Sequence, residues 1–250
     1  METVRKVYFF SDLHLGLPTD VPAVEREKLV VRWLDEISDT VAELFVVGDI
    51  FDYWFEYKYV IPKGFTRFLG KMAAFTDRGI PVHFFTGNHD VWMYDYFPEE
   101  LGVTVHTKPF VYENAGKRFY IAHGDGLGPG DPGYKLLKGI FNNKVLQWMY
   151  KRLHPNFATW LAHRWSQADR GDEPSEFLGE EKEALFQHSK KILTNESIDY
   201  FIYGHRHLVL DHPLGNTARI IYLGDWITLF SYAVFDGNDL KLKYYKPQDG

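Results

Sequence analysis

The sequence predicts an α/β domain interrupted by a helical block. Three observations carry this prediction. Strands and helices alternate over the first hundred residues, an all-helical stretch then occupies 131–197, and strands return from Ile198 onward. Such alternation places parallel strands in a sheet covered by helices. The 250 residues, 45% apolar and 25% charged, suit one large domain or one domain carrying an insertion.

Each element has a local reason. Val4 to Phe10 is β-branched and aromatic and reads as a strand. Val24 to Thr40 has helical spacing at Leu29, Trp33, Leu34 and Ile37. Leu44 to Val47 is a short buried strand, Phe65 to Thr76 a helix, and Val82 to Phe85 a strand. Val103 to His106, Phe110 to Glu113 and Lys117 to Ala122 follow as short strands, with a turn at Asn114–Gly116. After the helical block come strands at Ile198 to Tyr203, Leu208 to Asp211, Ala218 to Leu223, Ile227 to Phe235 and Leu240 to Tyr245. Asp236–Asn238 is a hairpin turn. The expected organisation is a core of 1–130 and 198–250 with an inserted helical cap over 131–197.

Composition excludes several chemistries. There is no cysteine, so disulfides, thiolate zinc sites and cysteine nucleophiles are ruled out. The formal charge of −6 argues against a general nucleic-acid binder. The first residues lack the apolar run of a signal peptide. Nowhere do 18 apolar residues occur together, and a cytoplasmic protein is the expectation.

Polar residues recur where strands end. The predicted strands run into Asp12-Leu-His14, Gly48-Asp-Ile-Phe-Asp52, Gly87-Asn-His-Asp90, His123-Gly-Asp125 and Gly204-His-Arg-His207. In open α/β sheets the ligand site lies beyond the carboxyl ends of the strands. Each motif alone also reads as a turn or a polar loop pair. Together they supply carboxylates, an amide oxygen and imidazoles. That donor set suits manganese, iron, zinc or magnesium and offers no soft sulfur.

In this order the motifs resemble the calcineurin-like metallophosphoesterases. The resemblance runs from Asp12 to His207 and implies a four-layer α/β/β/α sandwich. It implies two divalent metals, manganese first and iron, zinc or magnesium as alternatives. Asp12, His14 and His207 would hold one ion. Asn88, His123 and His205 would hold the other, and Asp49 would be shared. His89 would be the catalytic histidine and Asp52 its orienting carboxylate. Asp90 and Asp125 read either as orienters of ligand histidines or as simple caps.

The cap has its own chemistry. From Tyr134 to Trp165 there is no acid and there are six cations, so this stretch carries +6 and the remainder −12. Large apolar and aromatic residues are interleaved among those cations. A basic, aromatic, amphipathic helix pair reads as a surface for anionic membrane, or as an ordinary pair with a solvated basic face.

The text around the motifs narrows the resemblance. Gly48-Asp-Ile-Phe-Asp-Tyr-Trp54, His123-Gly-Asp-Gly-Leu127 with Asp131 and Tyr134, and Tyr222-Leu-Gly-Asp-Trp226 are similar to the UDP-2,3-diacylglucosamine pyrophosphatases of lipid A synthesis. That similarity implies hydrolysis to UMP and an acylated sugar 1-phosphate, at a cytoplasmic or peripheral inner-membrane location. The alternatives are another calcineurin-like phosphoesterase, or a scaffold of the same fold. Asn88, His89, Asp131, Tyr134 and Ser166 would contact substrate. Two departures stand out. His89 replaces the usual Arg of that subfamily, and Arg206 replaces its usual Thr, either to grip a phosphate or as a surface charge.

Overall fold

The computed structural model describes residues 5–168 and 176–246. The elements run β1 Lys6–Phe10, α1 Ala23–Ile37, β2 Val41–Val46, α2 Thr66–Asp77, β3 Val82–Phe85, α3 Tyr96–Leu101, β4 Thr104–His106, β5 Phe110–Asn114 and β6 Lys117–Ala122. Then follow α4 Pro132–Phe141, α5 Lys144–Tyr150, α6 Pro155–Ala168, α7 Ala184–Leu193, β7 Tyr200–Tyr203, β8 Val209–Leu214, β9 Ala218–Leu223, β10 Ser231–Phe235 and β11 Leu240–Tyr244.

Two sheets form. One has the order β11-β10-β1-β2-β3-β4 and the other β5-β6-β7-β9-β8. The pairs β1–β2, β2–β3 and β3–β4 are parallel, as are β6–β7 and β7–β9. Side-chain alternation explains how the layers stack. On β1, Val7 and Phe9 face the second sheet and join Phe45, Phe119, Ile202 and Phe235. Tyr8 and Phe10 face the other way, into Trp33 of α1 and Phe68 and Met72 of α2.

The far face of the second sheet is covered too. Tyr120, Phe201, Tyr203 and Tyr222 pack there against Leu185 and Phe186 of α7. The fold is therefore the four-layer α/β/β/α sandwich expected from the motif resemblance. Its fourth layer is α7, which lies within the 131–197 span. Amphipathic spacing alone does not distinguish a helix laid on a sheet from one in a cap.

Two other local readings change. Ile227 to Phe235 is not one strand, because the Asp225 carboxylate accepts the backbone N–H groups of Ile227, Thr228 and Leu229 and turns the chain. β10 starts only at Ser231. A short helix, α3, stands where the sequence pattern predicts no element. The N–H groups leading into it converge on buried Glu56, whose Oε2 accepts from Tyr94, Asp95 and Tyr96.

The chain leaves the sandwich for α4 through a glycine-rich bend. Gly128 there has φ +78, and a Cβ on it would sit 2.2 Å from the Ala184 carbonyl oxygen. Asp131 follows with φ 44 and caps α4 through the Tyr134 N–H at 2.8 Å. Among the described residues, no helix is long and apolar enough to cross a membrane.

Trp33 is fully enclosed between β1 and the Trp226 ring. Trp33→Ala is expected to lower unfolding stability by about 3–5 kcal/mol, read by urea denaturation. Lys28→Ala, on the exposed face of the same helix, should change it by less than about 0.5 kcal/mol.

Candidate dimetal centre

The carboxyl ends of β1, β2, β3, β6 and β7 converge, each running into one motif loop. Among the described residues, three triplets of donor atoms result, each within 4.8 Å: Asp12, His14 and His207; His14, Asp49 and His89; Asp49, His123 and His205. The first triplet is the set assigned above to one ion. The third contains two of the other ion's residues with Asp49, and Asn88 joins it with Oδ1 3.3 Å from His123 Nε2.

Asp49 is the hub. Its Oδ2 lies 3.2 Å from His123 Nε2 and 3.7 Å from His14 Nε2. Its Oδ1 accepts the His89 N–H at 2.9 Å. Asp12 faces the other side, 3.9 Å from His14 Nε2 and 3.5 Å from His207 Nε2. Both carboxylates are buried.

The backbone is bent to present these groups. Asp12, His14, Asp49, His205 and His207 all have positive φ between 42° and 67°. Non-glycine residues rarely adopt that region, and strain of this kind concentrates at functional sites. The approach of the loops also needs Gly87. A Cβ there would lie 2.1 Å from Asp49 Oδ1.

The donors fit divalent cations. The Nε2 atoms of His14 and His207 face each other at 3.3 Å. One N–H can donate to the other ring's lone pair there, and a cation would instead take a lone pair from each ring. The Nδ1 of His123 lies 2.9 Å from the Val47 carbonyl, which only accepts, so that nitrogen carries the proton. Burial opposes charge on His123, but Asp49 beside Nε2 outweighs it and raises the imidazole well above its ordinary range, so that a divalent cation would take the place of the Nε2 proton between the ring and Asp49.

Electrostatics agree with a cationic guest. Burial pushes the Asp12 carboxyl well above its ordinary range and His14 well below its own. Burial acts the same way on Asp49, but the imidazoles of His123, His89 and His14 outweigh it and hold that carboxyl low.

Other predicted residues take different places. His89 turns Nδ1 to the backbone carbonyl of Asp52 at 3.1 Å, while the Asp52 carboxylate stands 3.7 Å off. Asp52 thus orients His89 chiefly through its main chain. Arg206 forks onto buried Glu183 at 3.1 and 2.9 Å, tying the His205–His207 loop to α7. This pairing sets aside the reading of Arg206 as a surface charge, its side chain being 10% exposed. Asp131 caps α4, and the Tyr134 hydroxyl donates to Asp125 at 2.6 Å. The side chain of Ser166 lies outside the described residues.

Asp90 resolves as a cap. Its carboxylate accepts from Gly87 at 2.7 Å and Ile50 at 2.8 Å, pinning two motif loops together. Burial, with Asp49 nearby, raises it to about 7. Asp125 takes Tyr134 and Lys138 instead of a ligand histidine.

Sequence reasoning missed Arg26. It is fully buried on α1 and donates to the carbonyls of His14 at 2.8 Å and Leu17 at 3.0 Å. The signal was present, since Arg26 falls on the core stripe with Val30, Trp33 and Ile37. Its neighbour Glu27 caps α2 by accepting the Arg67 and Phe68 N–H groups.

Gly87→Ala is expected to displace Asp49 and weaken divalent-cation binding about a hundredfold. Titration calorimetry with Mn²⁺ would check this, and unchanged affinity would refute the crowding at Asp49. Arg26→Met should weaken cation binding by about tenfold in the same titration, by releasing the His14 carbonyl.

The family model described as calcineurin-like phosphoesterase matches residues 5–209. A UDP-2,3-diacylglucosamine hydrolase of Porphyromonas gingivalis is 39% identical over 253 residues, covering 95% of this chain and 97% of that protein. Another, from Aeromonas hydrophila, is 28% identical over 244 residues, covering 95% and 97%. With its motif loops gathered at the strand ends and these matches running over nearly its whole length, the chain belongs to the calcineurin-like phosphoesterase family of hydrolases.

Proposed function

We propose that the protein hydrolyses the pyrophosphate of UDP-2,3-diacylglucosamine, releasing UMP and 2,3-diacylglucosamine 1-phosphate. One observation carries the choice of substrate. An apolar cavity of about 280 Å³ opens onto Asp52, Asn88 and His89, with α4, α5 and α6 forming its far wall. Leu137, Ile140, Phe141, Leu146 and Leu161 line it. A phosphate-cleaving centre thus meets a hydrocarbon-lined chamber, which suits a substrate with phosphates at one end and an acyl chain at the other. The Porphyromonas relative bears the name of that activity.

Asp12, His14 and His207 would hold one divalent cation. Asn88, His123 and His205 would hold the second, with Asp49 between them. We take manganese as the native metal, in keeping with the all-oxygen and nitrogen donor set. Bound there, the two ions supply Lewis acidity for the phosphoryl oxygens and an acidified water. The protein's own groups do the rest. The Asp52 carbonyl fixes His89 through Nδ1. The other ring nitrogen of His89 is then placed to hold or give a proton to the leaving oxygen. The cavity wall excludes water from the acylated half.

The cap also supports membrane contact. Leu136, Val145, Trp148 and Met149 are all more than half exposed on α4 and α5. Arg152 stands 4.7 Å over the Trp148 ring. An apolar face edged by cations suits the headgroup region of an anionic bilayer. We propose that the protein works as a peripheral protein on the cytoplasmic face.

Incubation with UDP-2,3-diacylglucosamine and Mn²⁺ should release UMP, measured by chromatography. No UMP would overturn the substrate reading. Asn88→Ala should cut turnover by at least about a hundredfold with the fold intact. Trp148→Ser with Arg152→Gln should reduce co-sedimentation with phosphatidylglycerol vesicles, while unchanged sedimentation would reject membrane docking.

A further inference from the structure

A second apolar cavity lies on the other side of Tyr53. It measures about 700 Å³ and is lined by Leu15, Phe55, Ile61, Phe65 and Trp160, among others. Tyr53 lines both cavities. Leu15 and Gly16, which line the second cavity, directly follow His14 in the chain. The first opens at Asn88 and His89.

The partition between them is a bonded wall. Tyr53 is 6% exposed, and its hydroxyl lies 3.1 Å from that of Tyr150. Tyr150 donates its own hydrogen to the Ala158 carbonyl at 2.7 Å, so Tyr53 is the donor within the pair. Burial first, then the Tyr150 contact, keeps the Tyr53 hydroxyl protonated, and the Thr159 hydroxyl also reaches it. Helix α6 therefore rests on this wall and divides its own faces. Leu161 and Ala162 line the first cavity, while Asn156, Thr159 and Trp160 line the second.

On the reading that the substrate is a diacyl nucleotide sugar, we infer that its two chains part at Tyr53 and occupy separate cavities. Tyr53 is then the divider that sets selectivity for two-chain over one-chain substrates. The supporting point is geometric. Two apolar chambers meet at Tyr53, and the first of them opens onto Asn88 and His89. A sugar carrying chains on adjacent carbons can straddle such a ridge. A single-chain substrate would fill one chamber and leave the other wet.

The test compares kcat/KM for UDP-2,3-diacylglucosamine and its monoacyl analogue. Each buried methylene contributes about fourfold in affinity. The wild-type protein should prefer the diacyl form by at least about a hundredfold. Val60→Trp and Asn156→Trp narrow the second cavity from two of its walls, at exposed positions where folding is not at stake. Each should cut the diacyl-to-monoacyl preference at least about tenfold, because each blocks several methylenes. An unchanged preference in both variants would overturn the two-chamber inference while leaving the substrate reading standing. Failure of the wild-type protein to cleave the diacyl compound would sink that reading and the inference with it.

Discussion

Asp49 is where the structure's requirements meet. Its carboxylate is buried within reach of imidazoles from the β1 and β6 loops and of the β3-loop backbone. Burying two carboxylates this close would be unfavourable without compensating positive charge. The imidazoles supply part of it, and the converging nitrogen lone pairs of His14 and His207 leave room for more. The rest of the site is arranged around that need. Gly87 clears space on one side, Asp90 holds the β2 and β3 loops together, and Arg26 fixes the β1 loop from below.

The sequence made this centre legible because each motif sits at a strand end. Parallel strands bring their carboxyl ends together whatever lies between them. The seven expected ligands are gathered by the fold for that reason. Other features depended on partners far along the chain. Nothing local to Arg206 announces Glu183, twenty-three residues earlier on another element. The motif points to the Asp52 carboxylate, yet the closer contact to His89 comes from its backbone. Any residue at 52 has a carbonyl, so side-chain identity could not reveal that bond.

The helical span was harder to divide. Helices α4 to α6 and α7 all carry amphipathic patterns, but they bury different partners. Leu185 and Phe186 of α7 join the aromatic face of the second sheet. No residue of α4 is buried. The contrast is one of destination, and period-3.6 spacing does not encode what a stripe lies against.

The bend at Gly128 and Asp131 bears on how the cap and the metal loops are joined. Both residues turn the wrong way for continued helix or strand, so regular structure stops there and begins anew. Helix α4 then starts from its own cap at Asp131, not from the strand before it. The cap is in this sense a separate lining. It is tied to the metal loops at named points, Tyr134 and Lys138 holding Asp125, and its other lining residues stand apart from the ligands. The shape of the chamber and the geometry of the metal loops then rest on largely different residues.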